Sequence, residues 1–424
     1  MNEMYFEKTG LLVPKILLPK PGTDMSRWAV IACDQFTSAG DYWASVEETV
    51  GDAASTLNLF KPEYYLEHPS DKFSGQRISE NIDLYLKNVF SEVGPGLILV
   101  KRTLRSGLVR TGVVCALDLE KYDYNKGSQT LIRPTEGTVL SRIPPRVQIR
   151  SGAGVELPHI IMLINDPGNT CLPIIENSES KDKLYDFRLM EDGGQVSGRL
   201  ISEPEIIEDF NRALEGLIRN NLLFAVGDGN HSFAAAKKHW ENLKAKGCDM
   251  HHPARFCLCE LENIYDSGNV FEPIHRVVFD VDIELFEDLA AEYFGEFGSI
   301  IECEDTEITG LPENHEAYHE IKVCGGGRVL TVYIDRSFDP LAVGAIQRFL
   351  DESLAFAKID YIHDLKDTLN IAGSGNNIAI ILPCPEKASV FEVAERGEVL
   401  PRKTFSMGEA RDKRYYIEAR KIVR

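Results

Sequence analysis

The sequence is short of positive charge. Its 424 residues include 46 lysines and arginines against 66 aspartates and glutamates, which gives a formal net charge of −20. A protein that binds duplex DNA neutralises phosphates with a basic face, so a chain this acidic is repelled by the polyanion at physiological salt. We therefore expect no duplex DNA partner, although this balance leaves room for a local basic pocket.

Long apolar runs are also missing, and the amino terminus, MNEMYFEKTG, has no hydrophobic signal core. A membrane-spanning helix needs about 18 or more consecutive apolar residues, and the sequence contains no such run. The nine cysteines are an odd number without a C-x-x-C spacing, which is typical of reduced, buried thiols. These absences predict a cytoplasmic protein with no membrane partner.

Internal repeats, low-complexity tracts and long linkers are absent as well. The length predicts roughly two or three structural units. Short apolar strands alternate with amphipathic helices, which indicates a mixed α/β fold of the α+β kind. We expect a larger unit over residues 1–279 and a smaller α+β unit over residues 280–424, with the C-terminal segment as a candidate to pack back on the first.

A strand, a glycine turn and a helix follow one another in the stretch 221–247. The run Leu222–Val226 is short and apolar, Gly227–Asn230 has the composition of a tight turn, and a helical pattern begins at His231. At such a junction the free N–H groups and the dipole of the helix favour an anion such as phosphate. The alternative is an ordinary connection in which Asp228 or Asn230 caps the helix.

A second stretch, Thr130–Arg146, concentrates basic residues around one acid, Glu136. Three arginines with two threonines form a candidate anion site, because guanidinium groups and hydroxyls both donate hydrogen bonds to phosphate. These residues are Arg133, Thr135, Thr138, Arg142 and Arg146. The alternative is a surface loop whose arginines pair with the abundant acids.

The string DGNHSFAAAK resembles the D-G-H-H-R-x-x-A-A turn of the family called domain of unknown function 1015. That turn in turn is similar to one in the ParB/sulfiredoxin-like fold, which includes ADP-dependent free-serine kinases. Asp228, Gly229 and His231 match the pattern, whereas Asn230 stands where the family has its first His and Ser232 stands where it has Arg or Tyr. The resemblance implies a ParB/sulfiredoxin-like N-terminal unit.

Further segments carry the same resemblance. The segment with Glu136 resembles the family's E-x-T segment, which makes Glu136 and Asp228 a candidate carboxylate pair. The segment FEPIHRVVFD resembles L-P-T-H-R through His275 and Arg276, and GEVLPRKTF resembles the ending G-E-x-M-P-x-K-S-T through Lys403. The alternatives are a structural histidine at 275 and a surface lysine at 403.

The candidate site residues form two groups. Glu136, Asp228 and His231 are the candidate catalytic residues, and Asp228 is also the candidate Mg²⁺ ligand. The candidate ligand-binding residues are Arg133, Thr138, Arg142, Arg146, Gly227, Gly229, Asn230, Ser232, His275, Arg276 and Lys403. The expected cofactors are Mg²⁺ and a nucleotide, ATP or ADP.

Three functions remain open from the sequence. The first is a small-molecule phosphotransferase, as the kinase-like relatives of the turn imply, in which carboxylates hold Mg²⁺ or orient the acceptor hydroxyl. The second is a non-catalytic sensor that binds a nucleotide or metabolite at the same place. The third is a hydrolase with His231 as base, although the sequence contains no G-x-S-x-G nucleophile motif. The expected partner is a small molecule or nucleotide, with a homodimer as one option for assembly.

Overall fold

The structure is a computed structural model that describes residues 3–180, 182–304, 308, 310–401 and 403–423. The mixed α/β class predicted from the sequence is confirmed by its helices and large mixed sheet.

The chain divides into two compact units. The first comprises Met1–Asn269, Ala394–Glu398 and Gly408–Arg424, and the second comprises Val270–Val393 and Val399–Met407. The domain ranges expected from the sequence stay predictions, because compactness alone does not establish which segments fold independently.

The strands are short and the helices moderate in length. In chain order the strands are β1 (Met4–Phe6), β2 (Leu11–Val13), β3 (Ile16–Pro19), β4 (Val30–Ile31), β5 (Phe90–Val93), β6 (Leu97–Thr103), β7 (Val109–Asp118), β8 (Ile132–Pro134), β9 (Val155–Glu156), β10 (Ile161–Ile164), β11 (Lys183–Arg188), β12 (Gln195–Ile201), β13 (Phe224–Asp228), β14 (Phe256–Asn263), β15 (Phe271–Pro273), β16 (His275–Val278), β17 (Gly298–Glu302), β18 (Tyr318–Gly325), β19 (Arg328–Asp335), β20 (Ile359–Ile362), β21 (Ile378–Ile381), β22 (Phe405–Met407), β23 (Tyr415–Tyr416) and β24 (Arg420–Lys421). The helices are α1 (Met25–Trp28), α2 (Gly40–Val50), α3 (Tyr64–Glu67), α4 (Gly75–Asn88), α5 (Ile143–Gly152), α6 (Leu172–Glu176), α7 (Pro204–Gly216), α8 (Asn230–Ala245), α9 (Ile283–Phe294), α10 (Ala342–Ser353), α11 (Leu365–Ala372) and α12 (Lys387–Glu395). Within the described part of the chain, no helix is both long enough and apolar enough to span a bilayer.

The first unit is built on a ten-stranded sheet with the order β11-β12-β6-β7-β14-β10-β13-β8, to which β2 and β1 add beside β7. Most neighbours are antiparallel, but β13 runs parallel to the edge strand β8 and β10 runs parallel to β14. This mixed arrangement brings the end of β13, where the glycine turn begins, next to the segment that follows β8.

Helices cover both faces of this sheet. Alternate residues of a strand point to opposite faces, and β6 accordingly sends Leu97 and Leu99 into one apolar cluster and Ile98 and Val100 into another. The first cluster includes side chains of α7 and α8, and the second includes side chains of α2 and α4. Helix α8 is therefore held by the core along its apolar side, which fixes the position of its first turn.

The last residues of the first unit return to its earliest strands. Strand β23 pairs antiparallel with β4, so that Tyr415 lies opposite Ile31, and β24 pairs with β9. The backbone N–H of Ala32 donates to the carbonyl of Arg414 at 3.0 Å. Two short strand pairings thus join the end of the first unit to segments far away in sequence.

The second unit contains a six-stranded antiparallel sheet with the order β17-β19-β18-β21-β16-β20. Helices α9 and α10 contribute the buried Phe286 and Phe349, whose rings meet edge to face at 5.4 Å. Strands β15 and β22 form a separate two-stranded ribbon in this unit.

Candidate functional site

The glycine turn joins β13 directly to α8. Gly229 is the residue before the helix, and its backbone is left-handed, with φ of +80°. A Cβ atom there would come within 3.0 Å of Ile160 Cγ1, so both the backbone angle and the close approach require glycine. The carboxylate of Asp228 accepts the N–H of Gly229 at 2.9 Å. The turn is consequently tight, and it presents the start of α8 immediately after an acidic side chain.

The first turn of α8 has no side-chain cap among the described residues. Asn230 does not cap it, because its amide donates instead to Thr135 Oγ1 at 3.3 Å and to the Val226 carbonyl at 3.4 Å. The Asn230 side chain is 7% exposed, and its Oδ1 has no hydrogen-bond partner within the described ranges. The helix start therefore combines uncapped N–H donors with one unsatisfied acceptor, the situation in which a bound ligand is stabilising.

The parallel pairing of β8 and β13 relates the two predicted carboxylates. Pro134 lies opposite Val226, so Glu136 and Asp228 each follow two residues after a paired position. The hydroxyl of Thr135 donates to the Val226 carbonyl at 2.6 Å and ties the two segments together. This register favours convergence of Glu136 and Asp228 on one pocket. That convergence stays a prediction.

His231 and two of the predicted arginines lie in one neighbourhood. The backbone N–H of Val139 donates to His231 Nε2 at 3.2 Å. Burial, followed by the charges of Arg142 and Arg146, lowers the pKa of His231 below its ordinary value, whereas Asp34 opposes the shift. Arg146 also forms an ion pair with Glu63. His231 is thus held as a neutral ring, with its Nδ1 as the protonated nitrogen.

Three charged or ionisable residues that the sequence did not single out adjoin this turn. Lys413 Nζ lies 3.5 Å from Asp228 Oδ2. His159 Nε2 lies 3.8 Å from Asp34 Oδ2 and 3.3 Å from Ser232 Oγ. The side chain of Asp34 is 29% exposed and that of Asp228 is 26% exposed, so both carboxylates remain accessible to a small molecule.

Tyr416 fixes the orientation of His159. Its hydroxyl oxygen accepts the backbone N–H of Cys33 at 3.3 Å and lies 3.0 Å from His159 Nδ1. With its oxygen accepting from Cys33, the hydroxyl donates to Nδ1, which leaves the proton of a neutral His159 on Nε2, towards Asp34 and Ser232. Burial alone would raise the pKa of Asp34, but the effects of His159, Gln35 and Lys413 outweigh it and lower that pKa. Asp34 is therefore ionised at neutral pH.

Only one weak sequence signal pointed to these additional residues. Asp34 directly follows the apolar run WAVIAC, and polar residues at strand ends are frequent in sites. His159 lies in the apolar run PHIIMLIN, which is typical of a buried strand, and Lys413 lies in a charged segment without a motif. Their proximity depends on the pairing of β23 with β4, which no local pattern reveals.

Arg133 has a structural role, and its predicted ligand contact is therefore revised. The residue is buried, and its guanidinium donates to the backbone carbonyls of Thr130, Asn220, Ala394 and Glu395 at 2.7–3.1 Å. Donors that already have acceptors in the protein are not available to a phosphate. We therefore do not include Arg133 in the candidate site.

The predicted residues His275, Arg276 and Lys403 lie in the second unit. His275 Nδ1 accepts the backbone N–H of Leu382 at 3.2 Å. The buried Arg276 donates to the Ile274 carbonyl and, at 3.1 Å, to the Lys403 carbonyl. His275 and Arg276 thus connect strands within this unit, which matches the structural alternative, and Lys403 contributes its backbone carbonyl to that arrangement.

Comparison with known proteins identifies a family. A family model described as protein of unknown function (DUF1015) matches residues 17–353. No curated protein sequence matches the chain.

The solved structures that the comparison finds share little sequence with this chain. A variant of free serine kinase in complex with ADP is 13% identical with a TM-score of 0.39, covering 71% of this chain and 90% of its own. A conserved hypothetical protein from Pyrococcus furiosus is 15% identical with a TM-score of 0.34, covering 69% and 89%. SbnI from Staphylococcus aureus, truncated at its C-terminus, is 11% identical with a TM-score of 0.36, covering 70% and 83%. Similarity at this level carries no argument about ligand or activity, which must come from the site itself.

Proposed function

The chain belongs to this family of proteins of unknown function, and we propose that it binds the phosphate groups of a nucleotide, ATP or ADP, or of a phosphorylated small molecule at the first turn of α8. We further propose that it transfers a phosphoryl group to a small-molecule acceptor. The observation that carries the proposal is the uncapped start of α8, with Asp228 and Lys413 directly beside it. The same turn is our reason to assign the first unit to the ParB/sulfiredoxin-like fold.

Phosphate binding at this turn has support from both the backbone and the charges. Free N–H groups at a helix start donate to phosphate oxygens, and the helix dipole adds to the attraction. Arg142 and Arg146, at the start of α5, are close enough to His231 for their charges to lower its pKa, and the Nδ1–H of a neutral His231 is a further donor. In an acidic protein such a local cluster of donors concentrates anions where the remaining surface repels them.

Phosphoryl transfer would need a carboxylate and a divalent cation. Asp228 would hold Mg²⁺ through its carboxylate, and the ion would neutralise negative charge on the phosphate oxygens. The acceptor hydroxyl oxygen forms the new bond to phosphorus, the bond to the bridging oxygen of the nucleotide breaks, and that oxygen keeps the electron pair. A carboxylate takes the hydroxyl proton; Asp34, Glu136 and Asp228 are the candidates.

The hydrolase alternative with His231 as base has less support. The Nε2 lone pair of His231 already accepts the Val139 N–H, and the pKa of the ring is lowered by burial and by two arginines. A general base must have a free lone pair within reach of the proton that it removes. His231 is better suited to donate a hydrogen bond from Nδ1 to a bound oxyanion.

The first test is a ligand screen of the full chain by thermal shift. We expect ATP, ADP or a phosphorylated metabolite to raise the melting temperature in the presence of Mg²⁺, since a ligand that binds the folded state stabilises it. A hit is followed by a structure of the complex. A phosphate bound away from the Gly227–Ser232 backbone would contradict the proposal.

The second test separates the enzyme from the sensor. The parent and Asp228→Asn are incubated with Mg²⁺, nucleotide and a metabolite extract, and phosphorylated products are followed by mass spectrometry. For a phosphotransferase, Asp228→Asn loses about 100-fold or more in turnover while nucleotide affinity changes only severalfold, because an orienting or metal-holding acid acts mostly in the transition state. Tight binding by the parent without turnover would favour the sensor instead.

A further inference from the structure

The backbone of Lys413 is fixed from both sides. The guanidinium of Arg102 donates to the Lys413 carbonyl, and the pairing of β23 with β4 begins two residues later. Arg414 is buried, donating to Glu260 at 2.6 Å and to Glu418 at 2.8 Å. Charged groups that are buried and paired in this way are costly to displace. The residue that carries the Lys413 ammonium is therefore rigidly positioned.

The side chain of Lys413 is held much more loosely than its backbone. Its ammonium lies 3.5 Å from Asp228 Oδ2, whereas a strong charge-assisted hydrogen bond measures about 2.7–2.9 Å. No shorter contact of this ammonium exists among the residues that the structure describes. The Lys413 side chain is 16% exposed, so part of it faces solvent. The backbone of Lys413 is fixed, whereas its ammonium forms only a long ion pair. This arrangement allows the ammonium to exchange one anionic partner for another.

The Lys413 ammonium acts on both accessible carboxylates of the site. It lies 3.5 Å from Asp228 Oδ2, and it is one of the groups that lower the pKa of Asp34, after His159 and Gln35. Two carboxylates would otherwise repel each other and any incoming phosphate. Asp228 also stands immediately before the Gly229 turn, so the Lys413 ammonium lies next to the start of α8.

We propose that Lys413 is the lysine that contacts the bound phosphate, and that Asp228 holds its ammonium until an anion arrives. The inference rests on the proposed function and adds to it a specific residue from the C-terminal segment. On binding, the ammonium moves from the Asp228 carboxylate to a phosphate oxygen at the first turn of α8. Asp228 is then free to take a divalent cation that accompanies the phosphate.

Lys413 is better suited to this exchange than the two nearby arginines. Arg146 is already paired with Glu63 and also donates to the backbone carbonyl of Arg142 at 3.3 Å, and Arg142 itself is exposed. A lysine is a compact point charge on four rotatable bonds, which reaches successive partners more readily than a planar guanidinium. The two arginines contribute to the attraction of the anion, and Lys413 makes the close contact.

The main experiment measures ADP affinity by titration calorimetry with Mg²⁺ present. Lys413→Met keeps the length of the stem and removes the charge, and we expect ADP to bind at least about tenfold more weakly. Lys413→Arg restores the charge and keeps affinity within about fivefold of the parent. Lys421→Met is the matched control: Lys421 is an exposed lysine of the same C-terminal segment, and its loss leaves affinity unchanged.

A second measurement needs no variant. The parent is treated with a lysine-acetylating reagent with and without ADP, and modification of each lysine is followed by mass spectrometry. We expect ADP to protect Lys413 and not Lys421. Equal modification of Lys413 in both samples would overturn the inference even if Lys413→Met failed to fold.

The role of Asp228 as a holding group gives a third result. In the absence of divalent metal, Asp228→Asn is expected to bind inorganic pyrophosphate severalfold more tightly than the parent, because Lys413 is released and a negative charge is removed. Weaker binding would contradict the exchange.

These outcomes distinguish the two levels of the proposal. If the parent binds ADP and Lys413→Met binds it equally well, the Lys413 inference fails and the proposed function stands. If the parent binds neither ADP nor pyrophosphate and the thermal-shift screen finds no other phosphorylated ligand, both fail.

Discussion

Arg133 and Arg142 carry the same charge in the same basic stretch, but the structure gives them different surroundings. Arg133 is buried with four backbone carbonyls as acceptors, and Arg142 is exposed near His231. The sequence predicted a basic cluster around Glu136. The sequence could not predict that Arg133 is buried and Arg142 exposed, because the acceptors of Arg133 come from segments up to 262 positions away in the chain.

We predict opposite effects for these two arginines. Arg133→Met leaves buried carbonyls without donors and is expected to lower the free energy of unfolding by about 3 kcal/mol. ADP affinity at a temperature where the variant is folded stays unchanged. Arg142→Met is expected to alter stability by less than about 0.5 kcal/mol and to weaken ADP binding severalfold. Urea unfolding and calorimetry measure the two quantities, and a stable Arg133→Met variant that no longer binds ADP would return Arg133 to the site.

Among the elements, the strand and helix that flank the glycine turn were the most predictable. The sequence predicts a strand at Leu222–Val226 and a helix from His231, and the structure has β13 at Phe224–Asp228 and α8 from Asn230. Both follow from local patterns of apolar residues and glycine. The pairing of β23 with β4 was not predictable, since two-residue strands carry almost no local signal and their partners are hundreds of positions apart.

The two glycines that flank α8 provide a matched pair of variants. Gly229 precedes the helix and Gly247 follows it, with φ of +80° and +90°. An added Cβ would approach Ile160 within 3.0 Å at Gly229, whereas nothing lies within 4 Å at Gly247. We expect Gly247→Ala to destabilise by about 1 kcal/mol, the cost of the left-handed backbone alone, and Gly229→Ala by about 2–3 kcal/mol.

The comparison is made by urea unfolding, with ADP affinity as a second readout. Gly229→Ala is expected to weaken ADP binding as well, because the start of α8 shifts, and Gly247→Ala is not. Equal losses of stability in the two variants would mean that Ile160 moves aside without cost.

On the scale of the whole molecule, composition predicted the mixed α/β class but not the return of the last residues to the first strands. Composition and periodicity describe local preferences and average burial, which are enough to predict the fold class. The site also draws on Asp34, His159 and Lys413, which converge only in the folded first unit. Its chemistry was therefore only partly visible in the sequence.

Buried histidines in both units predict loss of stability in mild acid. Burial, followed by Arg150 for His239 and Arg276 for His275, lowers the pKa of each to about 4. In the unfolded chain a histidine takes up its proton near its ordinary value of about 6.5. Between these values the unfolded state binds more protons, so stability is present above about pH 6.5 and is lost as the pH falls towards 4.

Each of these histidines contributes up to about 1 kcal/mol per pH unit to this loss. We expect His239→Asn, which preserves an acceptor for Ser151, to unfold with a shallower dependence on pH than the parent between about pH 6.5 and about pH 5. The exposed His251 is the control, since His251→Asn should leave the slope unchanged. Identical slopes for the parent and His239→Asn in urea unfolding would contradict the prediction.

The pairing of β23 with β4 also has a consequence in time. Lys413 lies 379 positions after Asp34 (413 − 34), and a ribosome that adds roughly 5–20 residues per second needs roughly 20–80 s to make the chain between them. During that interval the nascent protein displays Asp34 and later the glycine turn without the lysine and tyrosine that complete the site. A phosphate ligand bound as we propose would therefore not guide the early folding of the first unit, because Lys413 joins the site only after the strands of that unit's ten-stranded sheet have been made.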